Sequence, residues 1–380
     1  MATILLVGPR RHVLGGVTSH LDLLSASALA RRHQFLHFAV GGEGLSESRL
    51  GGLIRVASAP FRFAALLHHS RAALVHLNPS LDKSFWRDAP LLLVARLMGR
   101  PVVLQIHGGQ LPEDFCPHVP GARRLAWVVF RLANRLVVLA KVERAAFARI
   151  VGDPSVALIP NAIDPAPYAG TKPDTYDGAR PLRVIYLGRV VRSKGLFDAC
   201  EAVAAALRSG VRLTFLVAGD GPDSAALQAH VRALGLAQVI HLLGPLQGLE
   251  KARFLLAGDV FLFPTFHPEG LPYALLETMA AATPAITTAI GAIPDVVTHG
   301  VDGLLVAPHD IAACSESLIA LARAPERLHA LAQAARERVA RAYSLSRLES
   351  DFESLYEQVL MARHEPVKAA AASSTGDQAG

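Results

Sequence analysis

Short apolar runs alternate with amphipathic helical runs along most of the chain. In the first part of the sequence the apolar runs cover 3–8, 73–78, 101–109, 135–140 and 156–161. Because almost every residue of such a run is apolar, each run predicts a parallel strand that helices cover on both faces. The first part of the chain therefore predicts a doubly wound α/β sheet.

An irregular segment, 164–181, interrupts this alternation and is rich in Pro, Gly, Asp and Thr. Such a composition is typical of a linker. After it the alternation restarts, with apolar runs at 183–188, 213–219, 239–244, 260–265, 285–289 and 303–307. We therefore expect two Rossmann-like, doubly wound domains in tandem, with ligands at the carboxyl ends of the strands and a site in the cleft between the domains.

The predicted domain boundaries follow from these patterns. We expect an N-terminal domain over 1–165, a linker over 166–181 and a C-terminal domain over 182–344. A helical run extends from Pro325 to about Ala362, with a break near Tyr343 and Ser344. The remaining segment, 363–380, is small and polar, and we expect it to be disordered.

Composition narrows the class of protein. The chain has 380 residues, 51% of them hydrophobic, and a formal net charge of +6. This charge favours an anionic partner such as a nucleotide, a phosphate or an anionic lipid surface, and it is too small to indicate nucleic acid. The three cysteines, Cys116, Cys200 and Cys314, are far apart, which predicts a reducing, cytoplasmic compartment. Uninterrupted apolar stretches stay below roughly 18 residues, so we expect a soluble or peripheral protein.

Two acids flank a glycine-proline turn in the segment FHPEGLPYALLETMAAATP, 266–284. Pro272 suits the first turn of a helix, which places Glu269 in the loop beside the positive helix end. Glu277 lies about 7.5 Å inside the helix and leans back toward that loop. The amides of Gly270 and Leu271 are then free for phosphate or sugar oxygens. Alternatively, Glu269 caps the helix and Glu277 lies on the surface.

A second segment, YLGRVVRSKG, places the cations Arg189 and Lys194 between a predicted strand and a predicted helix. Arg189 can hold two oxygen atoms at once, and Lys194 supplies a point charge. Together with the helix end they predict a diphosphate site. The alternative is a solvated loop with two surface cations.

Glycines and one histidine mark three further strand ends. Gly219 and Gly221 follow a strand in the sequence GDGP, which lacks the full G-x-G-x-x-G pattern and so disfavours a nicotinamide enzyme. Gly15 and Gly16 follow the first strand and allow a ligand to approach the backbone closely. His107 ends the strand at 101–109 and is expected at the cleft. An ordinary turn, a flexible loop and a structural histidine are the respective alternatives.

These motifs resemble the family 4 retaining glycosyltransferases of the GT-B fold, within glycosyltransferase group 1. The family's pattern EG-P--LLE-MA--TP matches 269–284, and the resemblance continues in LGRVVRSKG, VAGDGP, IPNAID, GGVTSHL and 290–310. It spans the chain from Thr3 to about Leu360. Ala282 and Asp295 depart from the residues that the family often has there.

The resemblance implies a role for each candidate residue. Arg189 and Lys194 would bind the donor diphosphate and stabilise it as it leaves, and Glu277 would hold the ribose hydroxyls. Glu269 would contact the donor sugar near the reacting carbon, a contact that leaves a nucleophilic role open. From the N-terminal domain, His107 and the loop of Gly15 and Gly16 would face the donor. The acceptor would lie on that domain, and the final helix, about 345–362, would pack back on it.

The resemblance thus implies transfer of a hexose from a UDP- or GDP-sugar to a saccharide or lipid-linked acceptor, in bacterial exopolysaccharide, lipopolysaccharide or glycan synthesis. The sequence contains no Asp-x-Asp pair for a nucleotide-bound metal, so we expect a metal-independent enzyme without a cofactor. A front-face reaction, in which the leaving phosphate takes the acceptor proton, suits this set of residues.

A basic, apolar helix is predicted over GARRLAWVVFRLANRL, 121–136. Its apolar stripe would comprise Leu125, Val129, Leu132 and Leu136. Trp127 would lie on the opposite side among three arginines, and this face would suit an anionic membrane surface; the arginines are Arg123, Arg124 and Arg131. The alternative is an ordinary solvated basic face.

Two other classes of function remain open. A sugar-nucleotide isomerase or hydrolase on a similar two-domain fold would turn over a sugar nucleotide without an acceptor. A non-catalytic binding protein is the second alternative, although simple solute binding would not require two acids and two phosphate-binding cations.

Overall fold

The computed structural model describes residues 1–11, 15–41, 48–80, 82–109, 111–114, 121–170 and 172–362. Cys116 and the tail 363–380, for which the sequence predicts disorder, lie outside the described residues.

The described residues form two six-stranded sheets in which neighbouring strands are parallel. The strands of the first sheet are β1 Ala2–Gly8, β2 His33–Ala39, β3 Leu74–Leu77, β4 Val102–Gln105, β5 Arg135–Val138 and β6 Val156–Leu158. The strands of the second are β7 Leu182–Leu187, β8 Leu213–Ala218, β9 Ile240–Gly244, β10 Val260–Phe263, β11 Ala285–Thr288 and β12 Gly303–Val306.

Helices cover both sheets. In the N-terminal part they are α1 Gly16–Ala26, α2 Leu29–Arg32, α3 Arg49–Ser70, α4 Asp82–Leu97, α5 Ala122–Leu132 and α6 Lys141–Val151. In the C-terminal part they are α7 Leu196–Arg208, α8 Ser224–Ala233, α9 Gly248–Ala257, α10 Tyr273–Ala280, α11 Ile293–Val296, α12 Ile311–Arg323, α13 Pro325–Ala342 and α14 Leu345–Ala362.

The strand orders place a switch point in each sheet. The first sheet runs β2-β1-β3-β4-β5-β6 and the second β12-β11-β10-β7-β8-β9. The direction in which successive strands are added to the sheet reverses between β1 and β3 in the first sheet and between β7 and β10 in the second. Loops that leave two such strands diverge and open a crevice at the carboxyl edge. The expected fold class, two doubly wound α/β domains, is confirmed.

One strand of the first sheet was missed by the sequence analysis. Strand β2 has the sequence HQFLHFA and pairs only with β1, at the edge of the sheet. An edge strand is covered less completely than a central one, so polar residues are tolerated and the continuous apolar run that marks buried strands is absent.

The predicted helix over 121–136 is wrong at its end and in its orientation. Helix α5 ends at Leu132, and Leu136 is a buried residue of β5. The strand begins here because the amide of Asn134 donates to the Val102 carbonyl and its side chain accepts from the Val102 amide. The buried face of α5 contains Ala126, Val129 and Phe130, which leaves Leu125 exposed; half-buried Trp127 packs on the core beside Arg123.

The last helix crosses back to the first sheet. Residues of α14, including Phe352 and Tyr356, pack against Ile4 and Leu6 of β1 in one buried cluster. The Tyr356 hydroxyl lies 2.8 Å from Nδ1 of buried His76. The other face of the first sheet is covered by residues of α3 to α6 in a separate cluster. The C-terminal helix therefore completes the N-terminal core.

Truncation of Phe352 tests this completion. Phe352→Ala removes a fully buried ring that packs against His20, His76 and Tyr356. We expect a loss of about 3–5 kcal/mol in the stability of the N-terminal domain, measured by urea unfolding. Met361→Ala, at an exposed position of the same helix, should cost less than about 0.5 kcal/mol. Equal effects of the two substitutions would contradict the docking of α14.

Candidate active site

The carboxyl edges of the two sheets meet through glycine backbone. A Cβ atom on Gly270, in the loop after β10, would lie 2.3 Å from the carbonyl oxygen of His107, which follows β4. A Cβ atom on Gly109 would lie 2.4 Å from the carbonyl carbon of Glu269, and Gly109 also has a positive φ of 70°. Any larger residue at either position would push the two domains apart.

Lys194 and Glu269 form an ion pair at the switch point of the second sheet. The Lys194 Nζ atom lies 2.5 Å from Glu269 Oε1, and the Thr265 hydroxyl donates to the same oxygen at 2.9 Å. Glu269 is only 6% exposed, so its charge depends on these partners. The ion pair joins the loop after β7 to the loop after β10. The structure thus brings together two residues that the sequence predicted for one site.

Arg189 also follows β7, and its guanidinium is exposed with no partner in the part of the chain that the structure describes. The backbone at this position is fixed, because the Arg189 carbonyl accepts from the buried Tyr186 hydroxyl at 3.0 Å. A fixed backbone with a free guanidinium is suited to binding an anion from solution.

Gly219 and Gly221 pack against the loop after β7, so their backbone is not left open toward the cleft. A Cβ atom on Gly219 would lie 1.8 Å from the Gly188 carbonyl oxygen, and one on Gly221 would lie 2.2 Å from that of Val190. The structure therefore accounts for both glycines by the close approach of the loops after β7 and β8. A contact with a ligand stays a prediction.

Glu277 has a protein partner that the sequence did not predict. Its Oε1 lies 2.6 Å from Nζ of Lys251 on α9. The carboxylate also lies near Tyr168 and Tyr273; burial raises the pKa of both phenols, and the charge of Glu277 raises the pKa further. The cost of burying Glu277 in an apolar helix is thus offset by Lys251, without requiring a polyol.

Half-buried His107 lies at the cleft beside two buried histidines, His20 and His76. Its Nε2 lies 3.1 Å from Oδ1 of Asn78, and its ring centroid lies 4.8 Å from that of His20. Burial, and then the nearby histidines, lower the pKa of His107 well below its ordinary value. Burial also lowers the pKa of His20 to about 4 and that of His76 to about 3. These imidazoles are therefore neutral at neutral pH.

Gly16 lies opposite the second domain. A Cβ atom on Gly16 would lie 3.6 Å from the ring of Tyr273, the first residue of α10. Gly15 precedes α1 with a φ of 171°, an extended conformation that any residue can adopt. A contact of 3.6 Å is an ordinary van der Waals contact, so neither packing nor backbone conformation requires a glycine at these two positions.

The segment before α10 presents free backbone donors. The amides of Gly270 and Leu271 have no acceptor among the described residues. Pro272 precedes the helix, and the Leu271 carbonyl accepts from the side chain of Asn161 at 2.8 Å. The predicted donors are thus available and are held by a contact from the N-terminal domain.

Asp295 forms a further contact between the domains. Its carboxylate accepts from the Lys141 amide at 2.7 Å, at the start of α6. The buried Glu143 carboxylate accepts from the amides of Leu139 and Ala140 beside it, and burial raises the pKa of Glu143 to about 7. Asp295, which departs from the residue that the family often has, therefore caps the start of helix α6 across the domain boundary.

Several residues of the site were missed in the sequence. Thr265 and Asn78 could have been found, because each is the last residue of a predicted strand and therefore lies at the carboxyl edge. Lys251 could not, since it lies 26 positions from Glu277 on a different helix. Within the described ranges no group of three or more His, Cys, Asp or Glu side chains is arranged to hold a metal ion. Independence of a metal stays a prediction.

The buried histidines make a prediction about acid stability. Unfolded His20 binds its proton near its ordinary pKa of 6.5, whereas folded His20 binds it only near pH 4. The unfolded state therefore binds more protons between these values, and stability falls as the pH falls through this window. In His20→Gln this contribution is absent, so the free energy of unfolding should depend less steeply on pH, by about 1.4 kcal/mol per pH unit. Urea unfolding at several pH values measures the two slopes, and equal slopes would contradict the assignment.

Comparison with known proteins identifies the fold and the family. Residues 178–338 match the family described as Glycosyl transferases group 1. The 2-deoxystreptamine glucosyltransferase of Streptomyces kanamyceticus is 27% identical over 341 residues, 82% of this chain and 86% of that protein. The amylovoran biosynthesis glycosyltransferase AmsK of Erwinia amylovora is 29% identical over 165 residues, 42% of this chain and 40% of that protein.

Solved structures of low sequence identity share the whole fold. HepE of Anabaena, crystallised with UDP and glucose, superposes with a TM-score of 0.77 at 18% identity, covering 94% of this chain and 100% of that chain. Residues 178–338 therefore form a domain of the group 1 glycosyltransferase family, and the likeness to HepE shows that the chain has the two-domain GT-B fold.

Proposed function

We propose that this chain is a retaining family 4 glycosyltransferase, which moves a hexose from a UDP- or GDP-sugar to a saccharide or lipid-linked acceptor without a metal. The observation that carries the proposal is the Lys194–Glu269 ion pair at the switch point, together with the exposed guanidinium of Arg189 in the same loop after β7, which has no partner among the described residues. Two cations at the end of a strand suit a diphosphate, and a buried acid beside them suits the attached sugar.

Related proteins support the donor class. HepE was crystallised with UDP and glucose, and the relative from Streptomyces kanamyceticus is named a glucosyltransferase. Relatives named for amylovoran and other polysaccharide biosynthesis support a saccharide acceptor. We place the enzyme in the cytoplasm, in bacterial polysaccharide or glycan assembly, because nucleotide-sugars are cytoplasmic substrates and the two cysteines within the described residues, Cys200 and Cys314, are unpaired.

Binding of the donor would rearrange the two ion pairs. The diphosphate competes with Glu269 for the Lys194 ammonium, which can donate to both, while Arg189 holds two phosphate oxygens. Glu269 is then able to accept a hydrogen bond from a sugar hydroxyl. In the same way the ribose hydroxyls donate to Glu277, whose other oxygen stays with Lys251. The free amides of Gly270 and Leu271 face sugar or phosphate oxygens.

The reaction breaks the bond between the anomeric carbon and the phosphate oxygen and forms a bond from that carbon to an acceptor oxygen on the same face. The acceptor proton passes to the leaving phosphate. Arg189 and Lys194 stabilise the negative charge that develops on this phosphate. Neutral His107 and the loop at Gly16 close the donor site from the N-terminal side and hold the acceptor in position.

A donor screen tests the proposal. The melting temperature is measured with UDP-, GDP- and ADP-sugars for wild type, Glu277→Ala and Glu250→Ala, an exposed acid on α9 that serves as the control. We expect one donor to raise the melting temperature of wild type and Glu250→Ala but not of Glu277→Ala. Proton NMR of the product should show retention at the anomeric carbon, with a rate unchanged by EDTA.

Three results would contradict the proposal: inversion at the anomeric carbon, loss of activity in EDTA, or turnover of the sugar nucleotide at full rate without an acceptor. The last would favour an isomerase or hydrolase.

Substitution of Lys194 tests its role in charge stabilisation. Lys194→Ala removes one of two cations at the leaving phosphate, and we expect kcat to fall by about 10²–10³. Arg192→Ala is the matched control, because Arg192 lies in the same turn but stacks on Phe197, 4.0 Å from the ring centroid. Arg192→Ala should change kcat less than about threefold. Equal losses in the two variants would contradict the assignment.

A further inference from the structure

Helix α3 exposes an apolar face to solvent. Leu50, Leu53, Ile54 and Phe61 are between 59% and 79% exposed, and their spacing places them on one side of the helix. Ala57 lies on the same stripe and is also exposed. Large apolar residues that share one exposed helix face indicate a surface that another molecule covers.

The inner side of helix α3 packs against the N-terminal domain. By length and composition, Leu50–Ser70 is the one candidate membrane span within the described residues. However, its inner side contributes Ala59, Phe63 and Leu67 to the core of the N-terminal domain, and all three are buried. A helix that completes a core on one side and is apolar on the other can lie flat in a bilayer interface.

Neighbouring helices extend this apolar surface. Helix α3 packs on α4, and α4 packs on α5, over the same face of the first sheet. Leu93 and Leu97 of α4 are exposed, as are Leu125 and Val128 of α5. Since all three helices cover one sheet face, their outward sides point in one general direction. We call Leu50, Leu53, Ile54, Phe61 and these four residues the α3–α5 face.

The charge of this region is strongly positive. Residues 49–132 contain eleven Lys and Arg but four Asp and Glu, whereas the whole chain has a net charge of only +6. Helix α3 contains no acid, and the exposed arginines Arg62, Arg96, Arg123 and Arg124 lie on the same three helices. An aliphatic surface with arginines and few acids is complementary to anionic lipid.

We propose that the α3–α5 face docks on an anionic lipid bilayer, with the apolar side of α3 buried in the interface and the arginines at the lipid phosphates. The composition favours lipid over a protein partner, because a protein interface commonly pairs charges of both signs.

Docking would also place the cleft at the membrane. Helix α3 follows β2, whose carboxyl end lies at the edge of the sheet that carries Gly16 and His107. Leu50, Leu53 and Ile54 are therefore at the end of the helix nearest to the site. A lipid-linked acceptor could then reach the cleft without leaving the bilayer. This last step rests on the proposed function, whereas the docking itself does not.

Vesicle flotation tests the docking. Wild type is mixed with vesicles of phosphatidylcholine containing phosphatidylglycerol, or of phosphatidylcholine alone, at low and high salt. We expect binding to the anionic vesicles that weakens at high salt. The triple variant Leu53→Ser, Ile54→Ser, Phe61→Ser should lower the partition coefficient at least roughly tenfold, because it removes the apolar anchor.

A second variant, Arg123→Ser with Arg124→Ser, should lower the partition coefficient by roughly fivefold for each arginine. The matched control is Leu242→Ser, Leu249→Ser, Val301→Ser, three exposed apolar residues of the C-terminal domain. This control should float like wild type. Circular dichroism confirms that each variant is folded.

The outcomes distinguish the alternatives. Absence of vesicle binding by wild type, or equal binding by wild type and the α3 triple variant, would overturn the proposal. A dimer of the free protein that the α3 substitutions dissociate, without vesicle binding, would assign the face to a second copy instead. The donor thermal shift is measured on the same samples. Absence of the donor thermal shift in wild type would count against the transferase proposal. Absence of flotation with an intact thermal shift would count against the docking alone.

Discussion

The ion pair between Lys194 and Glu269 joins the two loops that diverge from the switch point of the second sheet. A carboxylate that is 6% exposed would be strongly destabilising without a partner, and Lys194 together with Thr265 offsets that cost. The same pair holds an ammonium group at the carboxyl edge before any ligand arrives. Because the ammonium group is already positioned, little reorganisation is needed when a diphosphate binds. The contact between Lys194 and Glu269 therefore prepares the site for an anionic ligand.

The position of the pair depends in turn on close backbone packing. Gly291, with a φ of 56°, lies so near the Glu269 carbonyl that a Cβ atom would approach its oxygen to 1.9 Å. Gly109 of the N-terminal domain also approaches Glu269, since a Cβ atom on Gly109 would lie 2.5 Å from the same carbonyl oxygen. The acid is thus held between glycines of both domains. A change in the relative orientation of the two domains would therefore move the site directly. Asn161, Asp295 and helix α14 also connect the domains.

The sequence predicted the strands that consist of continuous apolar runs, including the edge strands β6, β9 and β12. The segments 186–195 and 269–284 predicted Lys194 and Glu269 for one site. The edge strand β2 was not predicted, because its partial exposure permits polar residues, which interrupt the apolar run. The stripe on α5 was misplaced because Leu136 belongs to the following strand. Lys251 was not predictable, since its contact with Glu277 depends on how α9 packs against α10, which no local pattern encodes.

The proposed nucleotide site of the transferase consists of Arg189, Lys194 and Glu277. A crystal structure of the protein with bound UDP would test this site. We expect the diphosphate oxygens within hydrogen-bonding distance of the Arg189 guanidinium and the Lys194 ammonium, and the ribose hydroxyls on Glu277. UDP bound elsewhere, with the Lys251–Glu277 pair intact and Arg189 still facing solvent, would rule out this site.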